Sequence, residues 1–263
     1  MVTLAGIFPP TQPPEQIGAV AAAAESAGLE QLWIWEDCFM ESGIATATAM
    51  LATTSRITVG IGLLPVPLRN VALTAMEIAT LSRLFPGRLI AGVGHGVLDW
   101  MGQAGARVES PMTLLREYTA ALYALLHGET VTTRGRYVNL DAVALDWPPA
   151  VVPPLLVGGI KPRTVSLAGE LADGVIIPGG DSPEEVRTSV GQLHGQRSTG
   201  RGPADVVVFI STPAGRPAAA VAATVSEYAA AGATHVAVNA AEDDADLERF
   251  AGFLAREVGP LLR

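Results

Sequence analysis

Residues 57–96 read ITVGIGLLPVPLRNVALTAMEIATLSRLFPGRLIAGVGHG, and the fold class can be predicted from their pattern. Residues 57–64 are rich in β-branched side chains and glycine, which predicts a strand. Residues 71–84 have the apolar spacing of a helix, and Pro86 with Gly87 predicts its end. Residues 88–94 form another apolar run and predict a second strand. A strand, a helix and a strand in this order indicate a βαβ unit with parallel strands.

The same alternation continues on both sides of this stretch. Further strands are predicted at 2–8, 31–36, 154–157, 174–177, 206–210 and 235–238. Further helices are predicted at 15–27, 44–54, 113–126, 163–171, 183–196, 218–231 and 245–262. Eight such pairs in 263 residues predict an α/β fold of the (β/α)8 TIM-barrel type, as one domain over 1–263. Residues 128–153 predict a hairpin insertion after the fourth βα unit. A doubly wound open sheet is the alternative, which needs fewer units and a reversal of strand order.

Composition excludes several classes of protein. Hydrophobic residues make up 49% and charged residues 16%, against about 25% charge in an average soluble chain, so a disordered chain is excluded. The mean hydropathy is +0.35, but the longest uncharged stretches have 14 residues, such as 42–55, and a spanning helix needs about 20. No basic residue precedes Arg56, so we expect no targeting segment and a cytoplasmic location.

Net charge and cysteine content limit the partners and bound groups that we expect. The net charge is −9 and Lys161 is the only lysine, so we expect no nucleic-acid partner, because phosphate backbones need dense basic patches. The single cysteine, Cys38, excludes an intrachain disulfide and a cysteine-based zinc cluster. The four histidines have no metal-binding spacing, so we expect no metal site.

The carboxyl ends of the predicted strands carry the candidate site residues, because active sites of such barrels form there. They include Asp37, Cys38, Gly62, Leu63, His95, Gly96, Gly158, Gly159, Gly179 and Gly180. The only carboxylates among these ends are Asp37 and its neighbour Glu36, so no glycosidase-like acid pair is expected. His95 is the only histidine at a strand end, and we expect a functional role for it.

Two glycine-rich loops precede predicted helices. Gly158 and Gly159 lie before a helix that begins near Pro162, with Lys161 and Arg163 adjacent, and Gly179-Gly180-Asp181-Ser182 repeats the arrangement. Backbone N–H groups at a helix N-terminus attract anions, so both loops predict a phosphate-bearing ligand. The run 92–96 (GVGHG) looks like a dinucleotide fingerprint, but a polar loop at 99–111 follows where a helix should begin. The alternative is that these glycines allow close backbone approach.

Three segments carry a resemblance to a known family: GLEQLWIWED at 28–37, the stretch at 57–96, and PLLVGGIKPRTVSLAGELADGVIIPGG at 154–180. They resemble the luciferase-like monooxygenase superfamily, especially the branch that uses the deazaflavin coenzyme F420. The resemblance implies a TIM barrel that binds F420, with FMN as the alternative cofactor. It implies that Asp37 lies near the reactive edge of the cofactor and that His95 and Gly96 line its middle. It implies a cis peptide bulge at Gly62–Leu63 behind the ring.

The same resemblance implies that the ribityl phosphate is held by Gly158, Gly159, Ile160, Gly179 and Gly180. Two positions depart from the family pattern. Cys38 stands where many F420-dependent members have histidine, and Val97 stands where the sugar-phosphate dehydrogenases have glutamate. Oxidation of sugar phosphates is therefore not expected. Apolar neighbours favour an apolar substrate, although they also suit simple packing: Trp35, Phe39, Met40, Trp100 and Met101.

Three functional hypotheses follow. The first is an oxidoreductase that moves a hydride between F420 and a small, apolar organic substrate. Its proton carriers would be Asp37, Cys38 or His95, and His95 is favoured because its ordinary pKa, about 6.5, suits neutral pH. The second is an FMN-dependent monooxygenase that uses reduced flavin and O2. The third is a cofactor-binding protein without catalysis. We expect as partners a small-molecule substrate, a reductase or dehydrogenase that supplies reduced cofactor, and a second copy in a homodimer.

Overall fold

The computed structural model describes residues 2–180, 182–197, 202–242 and 245–263. The strands are β1 (Thr3–Ile7), β2 (Gln31–Ile34), β3 (Thr58–Pro65), β4 (Leu89–Gly94), β5 (Val131–Arg134), β6 (Asn139–Val143), β7 (Leu155–Gly158), β8 (Gly174–Ile177), β9 (Asp205–Thr212) and β10 (His235–Ala240). Eight of them close a parallel barrel in the order β1-β10-β9-β8-β7-β4-β3-β2. The predicted TIM barrel is confirmed, and the open sheet is wrong because β1 pairs with β10.

Helices connect the strands around the outside of the barrel. They are α1 (Ile17–Ala27), α2 (Gly43–Thr53), α3 (Val71–Leu84), α4 (Leu98–Gln103), α5 (Pro111–Leu126), α6 (Pro162–Leu171), α7 (Pro183–Gly195), α8 (Ala218–Ala230) and α9 (Leu247–Phe253). Their buried faces pack with the outward side chains of the strands in a large apolar core. No helix in the described part of the chain has both the length and the apolar character needed to span a membrane.

The interior of the barrel holds a second, smaller apolar cluster. Inward residues alternate along each strand, as period-two strands require. The largest are Trp33 and Phe209, whose rings meet edge to face at 5.6 Å. A side chain on Gly60 of β3 would overlap the Trp33 ring, so glycine is required there for close packing. This apolar cluster fills the interior of the barrel, so a ligand has to bind at the carboxyl end.

The antiparallel hairpin of β5 and β6 lies between α5 and β7, which is the insertion predicted after the fourth βα unit. The Glu117 carboxylate on α5 accepts hydrogen bonds from the backbone N–H groups of Arg136, Tyr137 and Val138 at 2.8–3.0 Å. The Tyr137 hydroxyl accepts another from the Ser110 N–H at 2.8 Å. One carboxylate therefore fixes the turn of the insertion to the barrel.

Two segments differ from the sequence-based expectation. The predicted loop at 99–111 contains the short helix α4, which carries Trp100. The predicted final helix at 245–262 is α-helical only over α9 and then continues as a wider turn, Leu254–Val258, and a tighter one, Gly259–Leu262. Pro260 lacks a backbone N–H, which prevents a regular α-helical end in this segment.

Candidate active site

A cavity of about 450 Å³ opens at the carboxyl end of the barrel, a size typical of small-molecule sites. Its lining comes from the ends of all eight barrel strands and from α4. The lining residues are Ile7, Trp35, Glu36, Asp37, Gly62, Leu63, Pro65, His95, Gly96, Val97, Trp100, Gly158, Gly159, Pro178, Gly179, Phe209, Ile210, Ser211 and Asn239. The barrel therefore brings most of the predicted site residues to one place.

One side of this cavity, here called the glycine wall, consists of Gly62, Leu63, Gly158 and Gly159. The pairing of β3 with β4 shifts register between Ile61 and Leu64, which makes a bulge at Gly62–Leu63. The Gly62–Leu63 peptide bond is cis, as the resemblance implies, and the Cys38–Phe39 bond is also cis. A side chain on Gly158 would overlap that of Leu63. The wall is therefore backbone-rich and closely packed, as a surface for a planar ring must be.

The end of β2 places Trp35 and Asp37 at the cavity. Trp35 Nε1 donates a hydrogen bond of 3.0 Å to Asp37 Oδ2. Burial raises the pKa of the Asp37 carboxyl, and this hydrogen bond partly opposes the rise. Asp37 is therefore a fixed carboxyl group whose protonated form is easier to reach than that of an exposed aspartate.

His95 follows β4 on the rim of the glycine wall. Its Nε2 lies 3.5 Å from the Thr164 hydroxyl in the first turn of α6. Burial lowers the pKa of His95, the Pro111 carbonyl opposes this, and the Lys161 ammonium adds to the lowering. The imidazole is therefore neutral at pH 7, so it is able to accept a proton from a bound molecule.

The two glycine-rich loops differ in their ability to hold an anion. The N-cap of α6, Lys161, makes no side-chain capping bond. Pro162 has no N–H and the Thr164 N–H donates to the Lys161 carbonyl, so in the first turn the Arg163 N–H keeps its capacity for a ligand. At α7, Ser182 and Glu185 form a reciprocal capping box. This box uses the N–H groups of Ser182 and Glu185, and two glutamates lie in the first turn, so α7 is less suited to an anion than α6. The phosphate-binding role of Gly179 and Gly180 stays a prediction. Asp181, part of that prediction, lies outside the described residues.

The opposite side of the cavity, here called the side-chain wall, consists of Ile7, Phe209, Ser211 and Asn239. Trp35 packs on Phe209, with ring centroids 5.9 Å apart. The Asn239 Oδ1 atom is buried and has no hydrogen-bond partner in the described part of the chain. A buried acceptor of this kind costs about 1–3 kcal/mol if left unpaired, which indicates that a bound molecule or water donates to it.

The site residues predicted from the sequence do not include Phe209, Ser211 or Asn239. The period of two along β9 was the available signal. Val207 and Phe209 point into the barrel, so Ser211 continues the same inward row to the cavity.

Several predicted residues lie outside the cavity lining. Cys38 is half-buried beside it, and burial together with the Glu36 and Asp37 carboxylates raises the pKa of its thiol. A protonated thiol outside the cavity does not suit the proton transfer predicted for Cys38. Ile160 and Gly180 are exposed on the adjoining loops. Of the apolar residues expected around the substrate, three are not in the lining: Phe39, Met40 and Met101.

The glycines of the run 92–96 have a packing explanation. A side chain on Gly92 would overlap Ile176, and one on Gly94 would overlap Leu63. β4 is therefore glycine-rich because neighbouring side chains lie directly against its backbone. The close-approach alternative accounts for this run, and no dinucleotide turn is formed.

Comparison with known proteins agrees with this architecture. The model of the family described as luciferase-like monooxygenase matches residues 2–258. A 5,10-methylenetetrahydromethanopterin reductase of Methanolobus tindarius is 31% identical over 202 residues, which cover 76% of this chain and 61% of that protein. An F420-dependent glucose-6-phosphate dehydrogenase of Kineococcus radiotolerans is 34% identical over 182 residues, which cover 64% of this chain and 53% of that protein. The chain thus spans less than two thirds of the length of these curated relatives.

A solved structure, an F420-dependent secondary alcohol dehydrogenase in complex with an F420-acetone adduct, superimposes with a TM-score of 0.87. The match covers 100% of both chains at 17% identity. At this identity the likeness establishes the shared fold, and it shows that the whole chain follows one known barrel from end to end.

Proposed function

This chain belongs to the luciferase-like monooxygenase family, and from that premise we propose that it is an oxidoreductase that transfers a hydride between coenzyme F420 and a small, apolar organic substrate. The observation that carries the proposal is the glycine wall, a backbone-rich surface at the end of the barrel with His95 and Asp37 at its edges. The similarity to an F420-dependent glucose-6-phosphate dehydrogenase supports F420 as the cofactor.

The residues present fit such a cofactor. Leu63 provides the only side chain of the glycine wall itself, while the Phe209 ring lies against Gly62 and the Thr164 side chain lies against Gly159. A flat ring system would therefore lie along the backbone of this wall. The unpaired Asn239 Oδ1 lies on the other side of the cavity, where it remains available to a donor on the substrate. Beside the wall, the uncapped N-terminus of α6 together with Lys161 and Arg163 suits a phosphate. Bound F420 supplies or accepts the hydride.

The side chains of this protein position the reactants and handle the proton that accompanies hydride movement. His95 is neutral at pH 7, so its imidazole accepts a proton from an alcohol or, once protonated, donates one to a carbonyl or imine. Asp37 is held by Trp35 at the cavity edge, where its carboxyl group orients a polar atom of the bound molecules. Ser211 and Asn239 offer the substrate hydrogen bonds from the side-chain wall.

The cavity favours an uncharged substrate. Among the described residues, its ionisable lining consists of Glu36, Asp37 and His95, and no lysine or arginine is present. Glu36 is already paired with Arg69 behind the cavity, so an anionic substrate such as a sugar phosphate would face the Asp37 carboxyl with no lining cation to bind it. Val97 lines the cavity at the position where the sugar-phosphate dehydrogenases have glutamate. We therefore propose neutral alcohols, enones and imines as the substrate class.

The first test is a fluorescence titration of the purified protein with F420 and, separately, with FMN. We expect F420 to bind with micromolar or tighter affinity and FMN to bind at least about tenfold more weakly, a difference of about 1.4 kcal/mol. A screen of alcohols, enones and imines with F420 then follows the cofactor absorbance.

A preference for FMN, with oxygen consumption in the presence of reduced FMN, would replace the proposal with the monooxygenase alternative. Tight F420 binding without turnover of any substrate class would favour the cofactor-binding protein. Binding of neither cofactor would contradict the proposal altogether.

We also propose a homodimer in the cytoplasm, fed with reduced cofactor by a separate reductase or dehydrogenase. The outer face of α3 supports the dimer, because Leu73, Met76 and Leu84 lie exposed in one stripe of that helix. Light scattering of the purified protein measures its mass in solution, and a monomer at micromolar concentration would contradict this part of the proposal.

A further inference from the structure

A charged cluster lies directly behind the end of β2 that forms the cavity. Glu36 lines the cavity, yet its side chain is only 7% exposed. Arg69, from the loop between β3 and α3, is 16% exposed and reaches the same place. Glu77 on α3 lies behind it, with Oε2 at 3.4 Å from Arg69 Nε. Neither the hydride chemistry nor the phosphate site uses this cluster.

The contact between Arg69 and Glu36 is bidentate. Arg69 Nη1 donates to Glu36 Oε1, and Arg69 Nη2 donates to Glu36 Oε2 at 2.8 Å. Glu36 Oε2 also accepts from the Gly43 N–H at 2.7 Å, at the first residue of α2. A planar guanidinium fork matches a carboxylate in a way that a lysine ammonium does not. The carboxylate therefore has a single fixed orientation.

This contact joins the two segments that form the cavity edge. Glu36 stands between Trp35 and Asp37, whose hydrogen bond faces the cavity. Its backbone N–H lies 3.4 Å from the Leu63 carbonyl, in the bulge of the glycine wall. Arg69 lies in the loop that follows β3, the strand that contains the bulge. Without its partner, the Glu36 charge would be buried and unpaired, and it would move toward water and carry both neighbours with it.

We propose that Arg69 is a positioning residue: by holding the Glu36 carboxylate from behind, it fixes Trp35 and Asp37 in the cofactor cavity. The proposal rests on the proposed cofactor site for its function, but the structural link from Arg69 to Trp35 stands without a ligand. Arg69 touches no reacting atom and acts only through Glu36.

The test uses Arg69→Met, which keeps the length of the chain and removes the fork, and Arg69→Lys, which keeps the charge. Arg116→Met is the matched control, since Arg116 makes an equally bidentate pair with Glu170 on the outer surface. Two quantities are measured: the Kd for F420 by fluorescence, and acrylamide quenching of Trp35 without ligand. The Trp35 signal is the difference between each protein and its Trp35→Phe counterpart.

We expect Arg69→Met to raise the Kd at least about tenfold and to increase quenching of Trp35. For Arg69→Lys, both the Kd and the quenching should lie between the values of Arg69→Met and the parent. Arg116→Met should match the parent in both measurements. A folded Arg69→Met protein with parental Kd and parental quenching would overturn the proposal. If Arg69→Met does not fold, parental values for Arg69→Lys overturn it instead. If the parent does not bind F420, the proposed function has failed, and the quenching of Trp35 alone decides the role of Arg69.

Discussion

The two walls of the cavity are built differently. The glycine wall depends on the absence of side chains: Leu63 packs where side chains on Gly94 or Gly158 would stand. The side-chain wall depends on their presence: Phe209 packs on Trp33 and Trp35, and Ser211 and Asn239 present polar groups. The glycine wall therefore has one geometry, which suits a flat ring. The residue types of the side-chain wall are more easily exchanged.

This difference suggests that the two walls have different roles in binding. A closely packed backbone surface is costly to change, because any added atom must displace a neighbour. Exposed polar side chains on strand ends change without altering the barrel. We therefore expect the glycine wall to determine cofactor affinity and the side-chain wall to determine the choice of substrate, and the predictions below test this separation.

The largest expected effect is on turnover, at the rim of the glycine wall. His95→Asn removes the group that we propose as proton carrier, and general acid–base catalysis contributes about 100- to 10,000-fold. Turnover should fall within that range while the Kd for F420 changes little. His127→Asn, at the exposed end of α5, is the control. Unchanged turnover in His95→Asn would remove the imidazole from the mechanism.

The next effect is on cofactor affinity. In Gly158→Ala the new methyl group overlaps Leu63, whose side chain is also confined by Gly94, so Leu63 must turn into the cavity. We expect the affinity for F420 to fall by about tenfold to 100-fold, equivalent to about 1.4–2.8 kcal/mol.

Gly191→Ala on α7 is the matched control, because nothing lies within 4 Å of the added atom. A helical glycine-to-alanine change should leave binding intact and stabilise the fold by about 0.5–1 kcal/mol. Parental affinity in Gly158→Ala would show that the glycine wall does not contact the cofactor.

A change in the side-chain wall should affect kcat/KM for the substrate more than the Kd for F420. Asn239→Leu keeps the volume but removes the amide, so kcat/KM for the preferred substrate should fall about tenfold, close to one lost hydrogen bond. The Kd for F420 should change less than kcat/KM. A larger loss of cofactor affinity than of kcat/KM would break the division between the walls and place Asn239 against the cofactor.

The smallest effect is on the free energy of unfolding, and we expect it away from both walls, at the hairpin of β5 and β6. Burial opposes ionisation of Glu117, but three backbone N–H donors outweigh it and lower the pKa of this carboxyl below its ordinary value of 4.5. The charged form therefore stabilises the fold fully above pH 4.5, and that contribution is lost as the pH falls through the lowered native pKa.

Glu117→Gln should therefore lower the free energy of unfolding by about 1 kcal/mol at pH 7, since the site is partly exposed. The difference from the parent should shrink as the pH is lowered, and the affinity for F420 should stay parental. Thermal unfolding across this pH range provides the measurement. A difference that grows toward acid pH would contradict the assigned role of the carboxylate.

Much of the barrel could be predicted because its signals are local. Apolar runs of four to eight residues and helical spacing between them depend on neighbours in the chain, and glycine or proline marks their ends. The predicted strand ends therefore led directly to Asp37, Gly62, His95 and Gly158. The loop predicted at 99–111 failed because α4 is short, and its six residues carry little periodic signal.

The anion-site prediction at α7 shows a second limit. Gly179 and Gly180 before a helix look the same in sequence as Gly158 and Gly159. The capping box of Ser182 and Glu185 distinguishes the two loops, because it uses the N–H groups of both residues and places a carboxylate in the first turn. The sequence contains the capping pattern, so this difference was available in principle.

The barrel, the position of the insertion and one wall of the cavity can be predicted from the amino-acid sequence, because they follow from periodicity and from glycines at strand ends. The other features of the site depend on contacts between distant segments. Arg69 meets Glu36 from 33 residues away, and Phe209 and Asn239 face the glycine wall only because the barrel closes between β1 and β10. Such contacts depend on how distant segments pack, and no local pattern of residue types specifies them.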